Sequence, residues 1–534
     1  MESTSSTFSD LSVVPSEDQN NKTDNSIVPA QPVSIETQEE VQIDVKPENT
    51  TLANRPQLGK LYPIISAAQF VWNEIGLGIL FALIAVGVCR YNNTLGAWLV
   101  YNGCYWQLDK FAVDVSEYVQ DMALTLQRNL FRIISGMDEK EAEHVTNVIN
   151  GSLSRRNYRT NILSNARARL KVEASDLDKN KFLFNLANGT LDVISGLLNK
   201  HNASDLITKY SPVIYDPTAT SPLWDRFVTD ITCGRKALAR YIQKLFGLCL
   251  LGENPLECLW IFYGKTTRNG KTTLLEVIRS VLGGLLGYAI SISPATIAAK
   301  KLTDGSKATG DIARLEGYRL AIVTEPARRM ILDASLIKAL TGRDSIVARR
   351  LYSSEVEFIA DCKILIGTNH LPFIDDISLV DSGRIVVVPF DRHFSPWEID
   401  PQMKEKLQAP EVLSAVLNWM LEGLALAMTE GLEQPDCVQQ ETAQYYANAD
   451  WMAQFVSECL TPSDHNSKAK DVYNAYRAWA LDNGIKVETK GEFFDTLRDR
   501  GMFLDQATVD GLTYKNVVPG YVVVVRDRSY NDID

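Results

Sequence analysis

The stretch YGKTTRNGKTT, residues 263–273, constrains this chain more than any other, because it carries the triplet Gly-Lys-Thr twice, at 264–266 and 270–272. Phosphates bind where backbone N–H groups converge at a helix start and the helix dipole adds positive potential. The usual spacing is G-x-x-x-x-G-K-[ST]. The first triplet would need Gly at 259, which is Leu259, and no helical pattern follows it. The second opens a run whose apolar positions, Leu274, Leu275, Ile278, Val281 and Leu282, recur at helical spacing. Its expected first glycine falls on Lys265, and Gly264 stands one residue early. The second triplet is therefore the working one, in a loop one residue longer than usual. Lys271 is expected to reach the outer phosphates and Thr272 to hold Mg²⁺. Gly264, Asn269, Gly270 and Thr273 complete the cradle, and Lys265 is expected to be idle.

The surroundings fit that loop. LWIFY (259–263), LAIV (320–323), KILIG (363–367) and RIVVVPF (384–390) are short apolar runs, the pattern of strands buried on both faces. Helical stretches alternate with them, which argues a mainly parallel α/β sheet. The chain's 534 residues exceed one core. We divide it into an acidic disordered tail (1–55), a mainly helical domain with short strands (56–220), the α/β domain (221–395), a helical lid or linker (396–450) and a winged-helix module (451–534). The last is read from three helices, at 451–460, 469–483 and 491–500, followed by a strand pair at 511–525. The tail holds ten Asp/Glu against two Lys in residues 1–50, most of the chain's net charge of −12. The body is nearly balanced, so overall acidity does not exclude a local nucleic-acid surface.

Eight single cysteines with no C-x-x-C predict neither a zinc site nor a disulfide framework. The start lacks a secretory signal pattern, and an intracellular protein is expected. IGLGILFALIAVGVC (75–89) is uncharged but shorter than the ~20 residues a membrane span needs. It is read as a buried element, with no membrane partner.

Several motifs, taken together, resemble one family. FYGKTTRNGKTTLLEVI is similar to the TTRNGK loop of phage and plasmid primase–helicases of helicase superfamily 3, related to the poxvirus primase–helicase. The longer loop is frequent in that group. DIARLEGYRLAIVTEP, IKALTGRDSIVARRLY, KILIGTNHLPFI and SGRIVVVPFDRHF resemble its later motifs, in order. NGCYW and FNLANGTLDVISGLL resemble the domain before its ATPase, and VYNAYRAWALDNGI its C-terminal winged helix. The likeness spans roughly residues 90–525. It implies an AAA+-like P-loop ATPase core that uses ATP and Mg²⁺, and a homo-oligomeric ring, taken as a hexamer, acting on single-stranded or forked DNA.

Residue roles follow. Glu325 ends a buried strand, where an acid serves the metal and the attacking water. Many superfamily 3 enzymes have two acids there. Here Thr324 precedes Glu325, so Glu325 bears both roles or Asp311 assists. The resemblance implies that Asn369 is the polar sensor and Arg384 the arginine finger for a neighbouring subunit, with Arg343 and Lys338 as second choices. IVARRLYSSEVEFI (346–359) reads as a β-hairpin. In the family that hairpin grips DNA, which implicates Arg349, Arg350 and Tyr352; a solvated basic ribbon is the plain alternative. In TKGEFFDTLRDRG, Phe493, Phe494 and Leu497 are expected to face a core and Lys490, Arg498 and Arg500 to face outward; Lys490 and Arg498 are the candidate DNA contacts, with protein–protein packing as the equal alternative. SRRNYRTNILSNARARLK (154–171) is a second basic helix, read mainly as a solvated face.

The expected function is an ATP-driven replicative helicase of a phage, plasmid or other mobile element. The alternatives are an origin-binding ring switched by ATP and a P-loop ATPase with a small-molecule acceptor. Residues before 90 show no polymerase-type acids, so priming, if it occurs, is expected on another chain, a separate primase or initiator.

Overall fold

The computed structural model describes residues 56–284, 286–299, 310–327, 330–349, 355–374, 379, 382–482, 487–509 and 511–524. The acidic tail, Arg350 and Tyr352 lie outside them.

The N-terminal region is mainly helical. The apolar run forms α1, Glu74–Ala85, which starts at an Asn73 cap accepting from the N–H groups of Ile75 and Gly76. Its twelve residues are too short to cross a bilayer. Leu77, Leu80, Phe81 and Ala85 are buried in one core with Trp98, Val119 and Met122, while Ile75, Leu83 and Val86 are exposed, so the run is buried along one side rather than throughout. The stretch AWLVYNGCYW (97–106) has the pattern of a strand pair and forms the hairpin Ala97–Tyr101 with Trp106–Asp109, followed by the amphipathic helix Val113–Arg128. The basic stretch forms α2, Arg156–Ala166, packed on α1.

In the next hairpin, Leu183–Leu186 with Gly189–Asp192, the Asn-Gly pair at 188–189 suggests a turn there, and the chain turns one residue earlier, through Ala187-Asn188. Its Phe184, Leu186 and Leu191 share a core with the α/β sheet. The α/β core thus takes apolar cover from the region before residue 220, beginning at about residue 183.

That core begins with helix α3, Lys236–Leu248, and strand β1, Leu259–Tyr263. Then follow α4, Lys271–Val281; β2, Ala289–Ile292; β3, Leu320–Thr324; and α5, Ala334–Thr341. The hairpin β4, Ser345–Arg349, and β5, Glu355–Ile359, precedes β6, Lys363–Thr368, and β7, Ile385–Pro389. The sheet order is β7-β1-β6-β3-β2, and every pair is parallel. Side chains alternate as the pleat requires. Trp260, Phe262, Ile322, Leu365 and Val388 enter one core; Leu259, Ile261, Val323, Ile364 and Val387 enter the other. β2 is an element that strand reading missed.

Helix α6, Pro410–Glu430, is long and apolar enough to cross a membrane by length and composition. Its Val416, Leu417, Met420 and Leu424 are buried in the sheet's core against α3.

At the C-terminal end, helices Trp451–Cys459, Ala469–Asp482 and Lys490–Asp499 match the three expected. The strand pair is displaced: Leu504–Val509 pairs with Leu512–Val518, while Tyr521–Val523 pairs with Leu460–Pro462. The core is aromatic, with Phe455, Tyr476, Trp479 and Phe493.

Candidate nucleotide site

Parallel strands deliver their C-terminal ends to one edge of the sheet. There β1 runs into the loop 264–270, and Gly270 caps α4 in the left-handed conformation, φ 83°. A Cβ on Gly270 would fall 2.3 Å from Ile231 Cγ2, so both conformation and space demand glycine. Gly270 has no side chain to cap α4, and of the helix's first N–H groups only that of Lys271 is met by a side chain among the described residues, donating to Asn269 Oδ1 at 3.5 Å. The first N–H groups of α4 therefore present an anion site.

Lys271, the first residue of α4, is buried, and its Nζ donates to Asn369 Oδ1 at 2.6 Å. Asn369 follows β6, the strand beside β1. Burial pulls the Lys271 ammonium down to about 8 from 10.5. Gly264 lies beneath: a Cβ there would meet Asn269 Nδ2 at 2.3 Å, Phe390 O at 2.7 Å and Lys271 Nζ at 3.0 Å. Asn269 is buried and donates to Thr266 O at 2.6 Å, pinning the loop's turn. The extra residue is absorbed by Arg268, which is left-handed at φ 58°. The segment after β7 braces it: Phe394 N donates to Arg268 O at 2.8 Å, and His393 Nδ1 to Thr267 O at 2.9 Å.

Thr267, Arg268, Asn269 and Lys271 border a cleft of 670 Å³ together with Thr272, Glu325 and Asn369, while Gly264 and Gly270 shape the loop without lining it. Glu325 directly follows β3 and is left-handed at φ 52°, with its N–H donating to Gly367 O at 3.2 Å. A non-glycine residue held there stores strain, a feature of functional positions. A hydroxyl, a carboxylate and a buried cation at an uncapped helix start suit a nucleotide phosphate with a divalent cation. Lys265 is exposed and does not line the cleft, and Thr273 does not line it either.

Other expectations land elsewhere. Asp311 is exposed, 3.9 Å from Arg314, and is not part of the cleft lining. Arg384 precedes β7, at the opposite end of the sheet from Lys271. Its guanidinium bonds Glu257 Oε2 at 2.9 Å, Thr341 Oγ1 at 3.0 Å and Lys338 O at 3.2 Å. Arg384 thus cannot serve the cleft of its own chain. The second choice Arg343 donates to Asn254 O at 2.7 Å. Arg349 is exposed at the end of β4. Lys490 is exposed beside the Phe494 ring, and Arg498 is exposed but bonds Asp495 at 2.6 Å. Arg500 does not face outward: it grips both carboxylate oxygens of Asp450, at 3.0 and 2.6 Å. Phe493 and Leu497 are buried as expected, Phe494 only partly.

Glu276, Arg279 and Ser291 also line the cleft and were not foreseen. Arg279 Nε is buried without a hydrogen-bond partner. Its signal was present, two helical turns beyond Lys271. Ser291 had none, because β2 was not recognised.

Comparison with known proteins adds the following. Residues 82–233 match the family described as D5 N terminal like, and residues 262–383 match a family of unknown function. The "Putative helicase L207/L206" of Acanthamoeba polyphaga mimivirus is 25% identical over 333 residues, covering 58% of this chain and 34% of that one. The "Putative helicase 022R" of Frog virus 3 is 29% identical over 309 residues, covering 53% and 30%. The chain thus spans about a third of the length of these curated relatives. An apo structure of the NrS-1 C terminal region superposes with a TM-score of 0.40 at 10% identity, covering 84% of this chain and 100% of that one.

Proposed function

The chain belongs to the phage and viral primase–helicase-like family, and on that premise we propose that it is an ATP-driven DNA helicase of superfamily 3 that works as a ring in replication. The observation that carries this reading is the Lys271–Asn369 contact at an uncapped helix start, with Glu325 in the same cleft.

Lys271 and the first N–H groups of α4 hold the β- and γ-phosphates of ATP. Thr272 and Glu325 are the residues that would hold Mg²⁺, which supplies charge neutralisation when bound. Glu325 accepts the proton of the attacking water. Asn369 keeps the Lys271 ammonium in place and offers its amide to that water. The parallel α/β order β7-β1-β6-β3-β2 supports a P-loop core of the AAA+ type.

Arg384, at the far end of the sheet, acts on the cleft of the adjoining copy, where such a finger contributes about 10³–10⁵-fold. That makes the ring, taken as a hexamer, a requirement for turnover. The β4–β5 hairpin, with Arg349 exposed, contacts single-stranded DNA. The C-terminal module, in which Ser467–Lys468 joins the Leu504–Val518 hairpin, reads as a winged helix that offers Lys490 and Arg498 to duplex or partner.

The test is ATP turnover with and without single-stranded DNA, alongside unwinding of a forked duplex. DNA-stimulated turnover with strand separation is expected. Turnover indifferent to DNA, with the fork intact, would leave the ATP-switched origin ring as the better reading.

A further inference from the structure

The nucleotide site leaves two features of the sequence unused: the apolar run and the basic stretch. The structure joins them. α1 and α2 close on one another at Gly78, where a Cβ would come 2.7 Å from Asn165 Cβ and 3.0 Å from Ile162 O. Ile162, Leu163 and Ala166 are the buried side of α2. α2 is therefore clamped on a helix that itself contributes to a core, and its other face is turned to solvent.

That outer face is one-signed. Residues 145–172 contain no Asp or Glu, in a chain whose net charge is −12, and they carry Arg155, Arg156, Arg159, Arg167, Arg169 and Lys171. Arg159 is used internally, donating to Leu153 O at 2.7 Å and Ser154 O at 2.8 Å. Lys171 pairs with Glu173. Arg155, Arg156, Arg167 and Arg169 are exposed, and none forms an ion pair among the described residues. Arg156 and Arg167 stand eleven residues apart, hence about 20° apart around the helix and about 16 Å along it. Arg167 is further held over the Tyr91 ring at 4.8 Å.

We propose that this face of α2 binds the phosphodiester backbone of nucleic acid, separately from the nucleotide cleft and the β4–β5 hairpin. Guanidinium forks match phosphate oxygens, and Arg155 and Arg156 at one end of a rigid helix with Arg167 and Arg169 just past its other end set such forks at a spacing that a repeating charge can meet. Exposed Asn157 and Ser164 beside the arginines add hydrogen-bond donors. An acidic protein partner fits less well, because no exposed large apolar side chain stands among these arginines on α2 to anchor a protein interface. The inference stands on this charge arrangement and does not need the ATPase reading.

The test uses the full chain with Arg155, Arg156, Arg167 and Arg169 changed together to Ala, and a second variant with all four changed to Lys. Binding to a fluorescein-labelled forked DNA is read by anisotropy across a salt series. The Ala variant is expected to bind at least about tenfold more weakly, and its slope of log K against log salt should fall by about three. The Lys variant should recover most of both, which separates charge from helix integrity. Unchanged affinity and slope in the Ala variant would overturn the proposal. So would a Lys variant as weak as the Ala variant, or polyglutamate competing as well as DNA. Failure of the helicase reading would look different: a chain that neither turns over ATP nor unwinds, yet binds DNA through these arginines.

Discussion

Lys271 Nζ lies 2.6 Å from Asn369 Oδ1, joining the helix after β1 to the turn after β6. Two residues 98 positions apart thus form one unit at the sheet's edge. Burial costs the ammonium its water, and the amide oxygen returns one hydrogen bond.

The first expected consequence is a pH dependence of ATP binding. Burial places Lys271 at about 8 in the free protein. Below that pH the ammonium is in place and affinity is flat. As pH rises through about 8 the free protein loses a proton that the bound phosphates demand back, so affinity falls by up to about tenfold per pH unit. Titration calorimetry at pH 7, 8 and 9 checks this. Lys271→Arg keeps its charge and should lose the dependence; the same fall in that variant would point to another group.

Lys265→Ala should leave turnover within about twofold of the parent, because Lys265 is outside the cleft. Lys271→Ala should lower it by about 10² or more. A comparable collapse at Lys265 would show that both lysines touch the nucleotide.

Gly264→Ala should cost nucleotide affinity. Its Cβ would displace Asn269 Nδ2 and Lys271 Nζ and press on Phe390 O. Overpacking of this kind costs about 1–3 kcal/mol of stability. Fluorescent-nucleotide binding together with thermal unfolding reads both effects, and normal values for both would contradict the geometry.

Glu325→Gln should bind ATP normally and hydrolyse it at least about 10²-fold more slowly. The left-handed backbone adds a second signature. Glu325→Asn, tolerant of that conformation, should unfold near the parent temperature, whereas Glu325→Val should lose about 1–2 kcal/mol. Equal stability of the two would mean that the strain is absent.

Arg384→Ala should abolish turnover, and mixing it with Lys271→Ala chains should restore part of it, since a shared site needs one intact copy of each. The Glu257, Thr341 and Lys338 contacts predict some loss of stability as well. Stability loss alone, with turnover kept, would reduce Arg384 to a structural tie.

Much of the α/β core was legible because strands buried on both faces must be continuously apolar. LWIFY, LAIVT and KILIG leave no other element of that length. β2 was not legible: it is a short edge strand, AISI, whose Ser291 is exposed, so its pattern matches a loop. The placement of Arg500 was equally hidden, since the partner carboxylate of Asp450 is fifty positions away.

The sequence alone determined which Gly-Lys-Thr triplet opens a helix, that the strands around it are buried, and that the apolar run 75–89 contributes to a core. Those are local matters of period, length and glycine geometry. Only the tertiary structure decided that Asn369 meets Lys271, that Glu325 is left-handed, that Arg384 stands away from its own cleft, and that the apolar helix carries a basic one. Each depends on which distant segments the sheet order brings together, and hydrophobic periodicity carries no record of that pairing.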